Sequence, residues 1–327
     1  MKYNGIVFII STNPGIGVLE SQVFKFANYI ALNYDFSVKI ILIGEKIIFD
    51  KSPYLDKLEF HYLNETISIK DIKNYKIYIR SIDVFVKNYL QLKINNNHLV
   101  YDFRALLFSE SFSRRNNYFI AAIIFSIELT IYLLADEICC VSKKLRSCLF
   151  KFFLYRRKIY VFPCLVSESE IRTRSPRLSN KSVYNFVYLG SLSKWQNFNQ
   201  VVDLYKQYSD NNNATFTVIT KDKHKASEIL KTKNVIAKVI SLNNSEVLNE
   251  LEKFDFGFLL RDNKLLNFVA SPVKYLEYLS SGVIPIMNFG IGDYSEEAKS
   301  NNIAILLNRG NKLIKADLSK LIEDKTY

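Results

Sequence analysis

The 327-residue sequence predicts two α/β units, each built on a doubly wound parallel sheet. Three observations lead there. Strand-like apolar runs alternate with helix-length patterned segments along the whole chain. Several runs, such as residues 6–10, are solid in Val, Ile and Phe, as parallel strands covered on both faces require. The composition breaks once, where residues 166–182 hold five Ser, one Pro and no aromatic. That break is read as a linker between a first unit at 1–165 and a second at 183–327.

In chain order, strands are predicted over 4–11, 37–43, 76–80, 98–102, 137–141 and 158–162, then over 184–190, 215–220, 235–240, 255–260 and 283–287. Helical patterns between them include 18–32, 118–135, 197–208, 244–253 and 272–281. The run 118–135 is the most apolar, but Ser126, Glu128 and Thr130 interrupt it. A charge at mid-bilayer costs at least ~2.5 kcal/mol, so the run is predicted as a buried core helix. No signal peptide is recognised at the N-terminus, and the chain is expected to be cytoplasmic, soluble or peripheral.

Hydrophobic residues at 49% and aromatics at 14% exclude a disordered chain, and 10 Gly with 6 Pro exclude a collagen-like one. Four Cys, two of them adjacent at Cys139 and Cys140, suit a reducing compartment. The net charge of +12 points to an anionic partner: nucleic acid, a phosphate-bearing small molecule or a membrane surface. Residues 1–165 carry 22 basic and 14 acidic side chains, residues 166–327 carry 22 and 18, so most of the excess lies in the first unit. Residues 143–158 hold seven basic side chains and no acid, interleaved with Phe150, Phe152, Phe153 and Tyr155. Such a stretch suits an anionic membrane surface, and equally a helix with a solvated basic face.

The strongest local signal is Ser271-Pro272-Val273-Lys274-Tyr275-Leu276-Glu277, closed by Gly282. Ser271 reads as an N-cap, Pro272 as the first helical residue and Gly282 as the stop. A helix N-terminus suits a diphosphate, and Lys274 in the first turn adds a full charge there although it opposes the helix dipole. Glu277 could accept hydrogen bonds from ribose hydroxyls, or form a surface pair with Lys274. A second candidate is Gly190-Ser191-Leu192-Ser193-Lys194-Trp195-Gln196 after the strand at 184–190. Gly190 permits close backbone approach, Ser191 and Lys194 are phosphate-type donors, and Trp195 is the only tryptophan. A third is Asp102 with Arg104, followed by Glu110, where Asp and Arg hold a sugar or each other. Gly15 and Gly17, between the first strand and helix, and Arg261, after the strand at 255–260, complete the candidates. There is no P-loop, HExxH or Asp-x-Asp, the three His are scattered, and no nucleic-acid-binding motif is present.

Together these stretches resemble a glycosyltransferase of the GT-B fold, of the family-4 type used in bacterial surface-polysaccharide synthesis. Residues 17–23 resemble the first loop and helix start of such enzymes. Tyr101-Asp102-Phe103-Arg104 with Glu110 resembles their Asp-x-Arg-Gly segment, with Ala105 in place of the glycine. Residues 135–142, 190–196, 255–261 and 271–282 resemble further stretches in the right order. Val269 stands where the family usually has a second Glu. The resemblance implies two Rossmann-like domains facing a central cleft, with the nucleotide sugar, UDP- or GDP-linked, held by the second. Glu277 would take the ribose; Lys274, Ser271, Pro272, the loop Gly190 to Trp195, and Arg261 would take the diphosphate, with Gly15 and Gly17 close by. A lipid-linked or growing glycan would lie near Arg104 and Glu110, and residues 143–158 would rest on the inner membrane. Transfer would be retaining, without metal or other cofactor, and would serve capsule or O-antigen synthesis. A GT-B-fold sugar-nucleotide epimerase and a non-enzymatic nucleic-acid-binding protein are the alternatives; no nucleic-acid partner is expected.

Overall fold

The computed structural model describes residues 3–12, 19–49, 58–166, 171, 182–210 and 212–307. The chain divides into two units, Met1–Leu165 and Val166–Tyr327. Of the segment read as a linker, only Val166, Ile171 and Ser182 are described.

The first unit has strands β1 (Ile6–Ser11), β2 (Val38–Ile43), β3 (Leu58–Tyr62), β4 (Lys76–Ile79), β5 (His98–Phe103), β6 (Glu137–Cys140) and β7 (Ile159–Val161). They form one parallel sheet in the order β3-β2-β1-β4-β5-β6-β7. A π-helical turn at Glu20–Phe24 leads into α1 (Lys25–Asn33), followed in the chain by α2 (Ile82–Ile94), α3 (Leu107–Arg115), α4 (Tyr118–Leu134) and α5 (Lys143–Phe153). α1 lays Ala27 and Ala31 on the sheet, and these small residues let it approach Phe8, Ile10, Val38 and Ile40 in one core. The strand β3 was not predicted. Its sequence LEFHY buries only Leu58, and its Glu59 pairs with Lys39 of β2 at 3.0 Å, so this edge strand carries a polar pattern.

The second unit has strands β8 (Tyr184–Leu189), β9 (Ala214–Ile219), β10 (Lys238–Ile240), β11 (Phe256–Leu259), β12 (Ile284–Asn288) and β13 (Ile305–Leu307). They too are parallel, in the order β10-β9-β8-β11-β12-β13. Its helices are α6 (Phe198–Ser209), α7 (Lys223–Thr232), α8 (Asn244–Leu251), α9 (Leu265–Phe268), α10 (Val273–Ser280) and α11 (Tyr294–Ser300). The three-residue β13 at the sheet edge was also unpredicted. Each strand order reverses once, between β1 and β4 and between β8 and β11. In open α/β sheets, ligands bind outside the carboxyl ends of the strands at such a reversal.

The helix predicted as a core element over 118–135 is buried on one face only. Glu128, Ile131 and Tyr132 are its buried residues, whereas Tyr118 is 77% and Phe119 75% exposed. Among the described residues no helix is long and apolar enough to cross a membrane. Glu128 faces inward for a structural reason. The N-cap of α3, Leu106, offers no side-chain cap of its own, and Glu128 supplies one: its two oxygens accept from the Leu107 N–H (2.9 Å) and the Phe108 N–H (3.0 Å). Burial outweighs those two bonds and raises the carboxyl pKa to about 7. A raised folded pKa gives a contribution that is complete below the ordinary carboxylate range and lost as the pH climbs through about 7. Relative to Glu128→Gln, the native protein should therefore lose up to about 3 kcal/mol between pH 4.5 and 8. Urea unfolding of both across that range checks it, and a difference that does not move with pH would refute it.

Residues 143–158 form α5 and the loop after it. The helix buries Leu145, Cys148, Leu149 and Phe153, and exposes Lys143 and Lys151. Its basic face is therefore solvated, and the apolar side chains that reach solvent here are Leu154 (89%) and Tyr155 (55%), just beyond it. All four cysteines are buried.

Candidate active site

At the strand reversal of the second unit, β8 ends at Leu189 and the chain turns at Gly190, whose φ of +137° few L side chains adopt. A Cβ here would collide with the Lys274 ammonium and meet the Gln196 amide, so the glycine lets a charge from α10 reach the β8 loop. The 3₁₀ turn Lys194–Gln196 buries Gln196. Its Nε2 donates to Ser191 Oγ (2.7 Å), and its Oε1 accepts from the Lys274 ammonium and from the Tyr188 hydroxyl (3.2 Å). The ammonium also lies 5.1 Å from the centre of the Tyr188 ring. Lys274 is half-buried as a residue, with its charged end enclosed. Burial pushes its pKa well below the ordinary lysine value; Arg261 pushes the same way, and Glu277 opposes them.

Arg261 stands two residues beyond β11. Asn288, ending β12, holds its backbone from both sides: the Arg261 N–H donates to Asn288 Oδ1 (2.8 Å), and Asn288 Nδ2 donates to the Arg261 carbonyl (3.0 Å). The Arg261 Nε is buried without a hydrogen-bond partner, and burial lowers the guanidinium pKa. The third positive element is the start of α10. The cap position is Pro272, which has no side-chain donor or acceptor, so its own side chain caps none of the first N–H groups of this eight-residue helix. Ser271, predicted as the cap, lies one residue too early, and its Oγ is 2.9 Å from the Tyr294 hydroxyl. Gly282, with φ +69°, follows the helix as predicted. Two enclosed cations, an unused arginine N–H and an uncapped helix start thus meet beside one carboxylate, Glu277. That balance suits an anion with several oxygens.

Of the residues predicted for this site, the structure gathers Gly190, Arg261, Pro272, Lys274 and Glu277. Ser191 is exposed and bonded to Gln196, and Lys194 is exposed. Trp195 is half-buried, and its carbonyl accepts from the Asp262 N–H (3.1 Å), joining the β8 and β11 loops. Val269 is fully buried. Asn288 was missed, and Tyr188 and Gln196, beside or within the second candidate stretch, were given no role. They are uncharged, and only the fold brings them to the cations.

In the first unit, Arg104 forms an ion pair through Nε with Asp102, and its Nη2 donates to the Tyr78 hydroxyl (3.2 Å). Asp102 and Arg104 do hold each other. Glu110, on α3, pairs instead with Arg114 one turn along. Arg80, just after β4, was not singled out in the sequence, yet it lies 3.9 Å from Asp102. Gly15 and Gly17 lie outside the described residues. Among the described residues, no group of three His, Cys, Asp or Glu side chains could hold a metal ion.

No protein-family model and no curated protein matches this sequence. Solved structures do. The lipopolysaccharide outer core galactosyltransferase WaaB, in its apo form, superposes with a TM-score of 0.65 at 14% identity, covering 98% of this chain and 91% of that one. HepE from Anabaena, in complex with UDP and glucose, gives 0.67 at 12%, covering 98% and 89%. Sucrose-phosphate synthase from Thermosynechococcus elongatus gives 0.70 at 10%, again covering 98% and 89%. The two parallel-sheet, Rossmann-like units have the GT-B fold of these glycosyltransferases.

Proposed function

We propose that the chain is a glycosyltransferase of the family-4 type, moving a sugar from a nucleoside diphosphate sugar to a lipid-linked or growing glycan in bacterial surface-polysaccharide synthesis. The observation that carries this reading is the meeting of Lys274 and Arg261 at the uncapped start of α10, beside Gly190. HepE, which shares the fold, was solved in complex with UDP and glucose, which favours a uridine donor. The donor diphosphate fits the two cations and the helix N–H groups, and Glu277, one turn along α10, would take the ribose. When the glycosidic bond to the donor breaks, negative charge grows on the departing diphosphate. Groups already fixed and desolvated stabilise it at no reorganisation cost. Two side-chain cations at this position support transfer that is independent of a metal, and the retaining outcome follows from the family-4 resemblance. The acceptor is assigned to the first unit at Arg104, and the basic face of α5 with Leu154 and Tyr155 to the inner membrane surface.

Calorimetric titration tests the donor assignment. The native protein should bind UDP or a UDP-sugar, and a ligand at 100 times its dissociation constant should add ~2.7 kcal/mol of stability. Glu277→Ala should weaken that binding about 10- to 100-fold, the size of a hydrogen bond to a charged group, while the protein still folds. Equal heats for the native protein and the variant with both uridine and guanosine diphosphate sugars would sink the reading.

A further inference from the structure

The first unit carries a charged cluster at the same topological place as the diphosphate candidate in the second. Its strand order reverses between β1 and β4, and Arg80 is the first residue after β4. Arg261 follows β11 at the equivalent reversal of the second sheet. Around Arg80 stand Gln22, from the π-helical turn after β1, and Asp102 and Arg104, from β5 and its end. Gln22 Oε1 accepts from Arg80 Nη2 at 2.5 Å, which fixes the guanidinium. The Arg80 Nε stays 3.9 Å from Asp102 Oδ2, beyond hydrogen-bond range, because that oxygen is taken by Arg104. Two atoms are left over. Arg80 Nη1, a donor, and Asp102 Oδ1, an acceptor, are both buried without a hydrogen-bond partner. The side chains are 12%, 16% and 0% exposed for Arg80, Arg104 and Asp102, so the leftover capacity is not spent on bulk water.

Each leftover atom specifies a ligand group. Two guanidiniums against one carboxylate leave one positive charge in excess, which calls for an anion. The free Arg80 N–H beside Arg104 suits a phosphoryl oxygen, which takes arginine donors well. The free Asp102 oxygen calls for a hydroxyl donor next to that anion. A phosphoryl group and a neighbouring hydroxyl on one molecule describe a sugar phosphate. We infer that Arg80, Arg104 and Asp102 form an acceptor site for the phosphoryl end of a sugar phosphate or lipid-linked sugar diphosphate, Asp102 taking a hydroxyl of its sugar. The assignment rests on the glycosyltransferase reading for calling this ligand the acceptor; the binding itself does not depend on it.

The test is calorimetry with UDP saturating the second unit, using N-acetylglucosamine 1-phosphate as one probe and farnesyl-diphosphoryl N-acetylglucosamine as the other. The native protein should bind at least one, and Arg80→Met should weaken that binding at least tenfold while the UDP titration stays unchanged. Asp102→Asn serves as a second variant with a split expectation: it keeps or improves binding of inorganic phosphate, whose oxygens it no longer repels, and loses affinity for the sugar phosphate relative to phosphate. The tighter of the two sugar probes names the source of the phosphoryl group. No binding of either probe by the native protein, or equal affinities for the native protein and Arg80→Met, overturns the site. Failure of UDP to bind would instead refute the donor assignment, and the sugar phosphate titration can then be run without it.

Discussion

Lys274→Met should raise the melting temperature of the ligand-free protein and cut most of its stabilisation by UDP. Two effects of opposite sign meet in this side chain. In the free protein its ammonium is enclosed by Gly190, Gln196 and Tyr188 and faces a second cation, Arg261, so its charge is held at a cost. Methionine keeps the length and apolar stem and removes the charge. A gain of ~1 kcal/mol is worth about 2–4 °C in a unit of this size. The sign can be followed with pH. A lysine whose folded pKa is lowered destabilises the fold fully at pH values below that pKa, and ceases to do so as the pH nears its ordinary value of 10.5. The variant's advantage should therefore be complete at low pH and shrink as the pH rises. With UDP present the order reverses: the loss of a charge-assisted contact to the diphosphate should weaken binding by about 10- to 100-fold. Thermal melts with and without UDP read both effects at once. A variant that melts lower without ligand and still responds to UDP would show that Lys274 is an ordinary structural lysine.

Gly257→Ala should strongly destabilise the second unit. Gly257 lies in the middle of β11, and the ring of Tyr278 from α10 sits flat on it. A Cβ would come within 2.7–2.8 Å of three ring carbons. The ring cannot withdraw, because its hydroxyl accepts from the Leu189 N–H (3.1 Å) and lies 3.2 Å from the Phe258 carbonyl, and the residue is fully buried. The helix must move off the sheet, carrying Lys274 and Glu277 with it. Overpacking of this kind costs about 3 kcal/mol, roughly 6–12 °C in melting temperature. UDP affinity should fall in parallel, since the same helix carries the diphosphate candidates. A urea midpoint within error of the native protein would refute the tight fit.

How much of this could be read beforehand differs from residue to residue. Solid runs such as residues 6–10 announce buried parallel strands because both faces demand apolar side chains, and these strands were placed nearly to the residue. LEFHY at β3 was invisible because an edge strand with one buried residue has no such demand. Glu128 was read as a polar interruption in an apolar run. Its actual work, capping α3 from the neighbouring helix, is a contact across 20 residues that no local pattern encodes. The helix at 273–280 was legible from Pro272 and Gly282, whereas Ser271 was one position off because Pro272 itself occupies the cap.

The same division holds for the site. Lys274, Glu277, Gly190 and Arg261 stood out in the sequence by their type and by their places near strand ends and a helix start. Chemical character and local spacing are properties of the chain itself. What they touch was decided only by the tertiary structure. Gln196 and Asn288 orient the two cations across separations of 78 and 27 residues, and Arg80 meets Gln22 across 58. These partners carry no charge or motif of their own. They matter because parallel sheets reverse their strand order at one point and bring the loops there together, so the sequence alone determined which residues could do chemistry, and the sheet topology decided which of them meet.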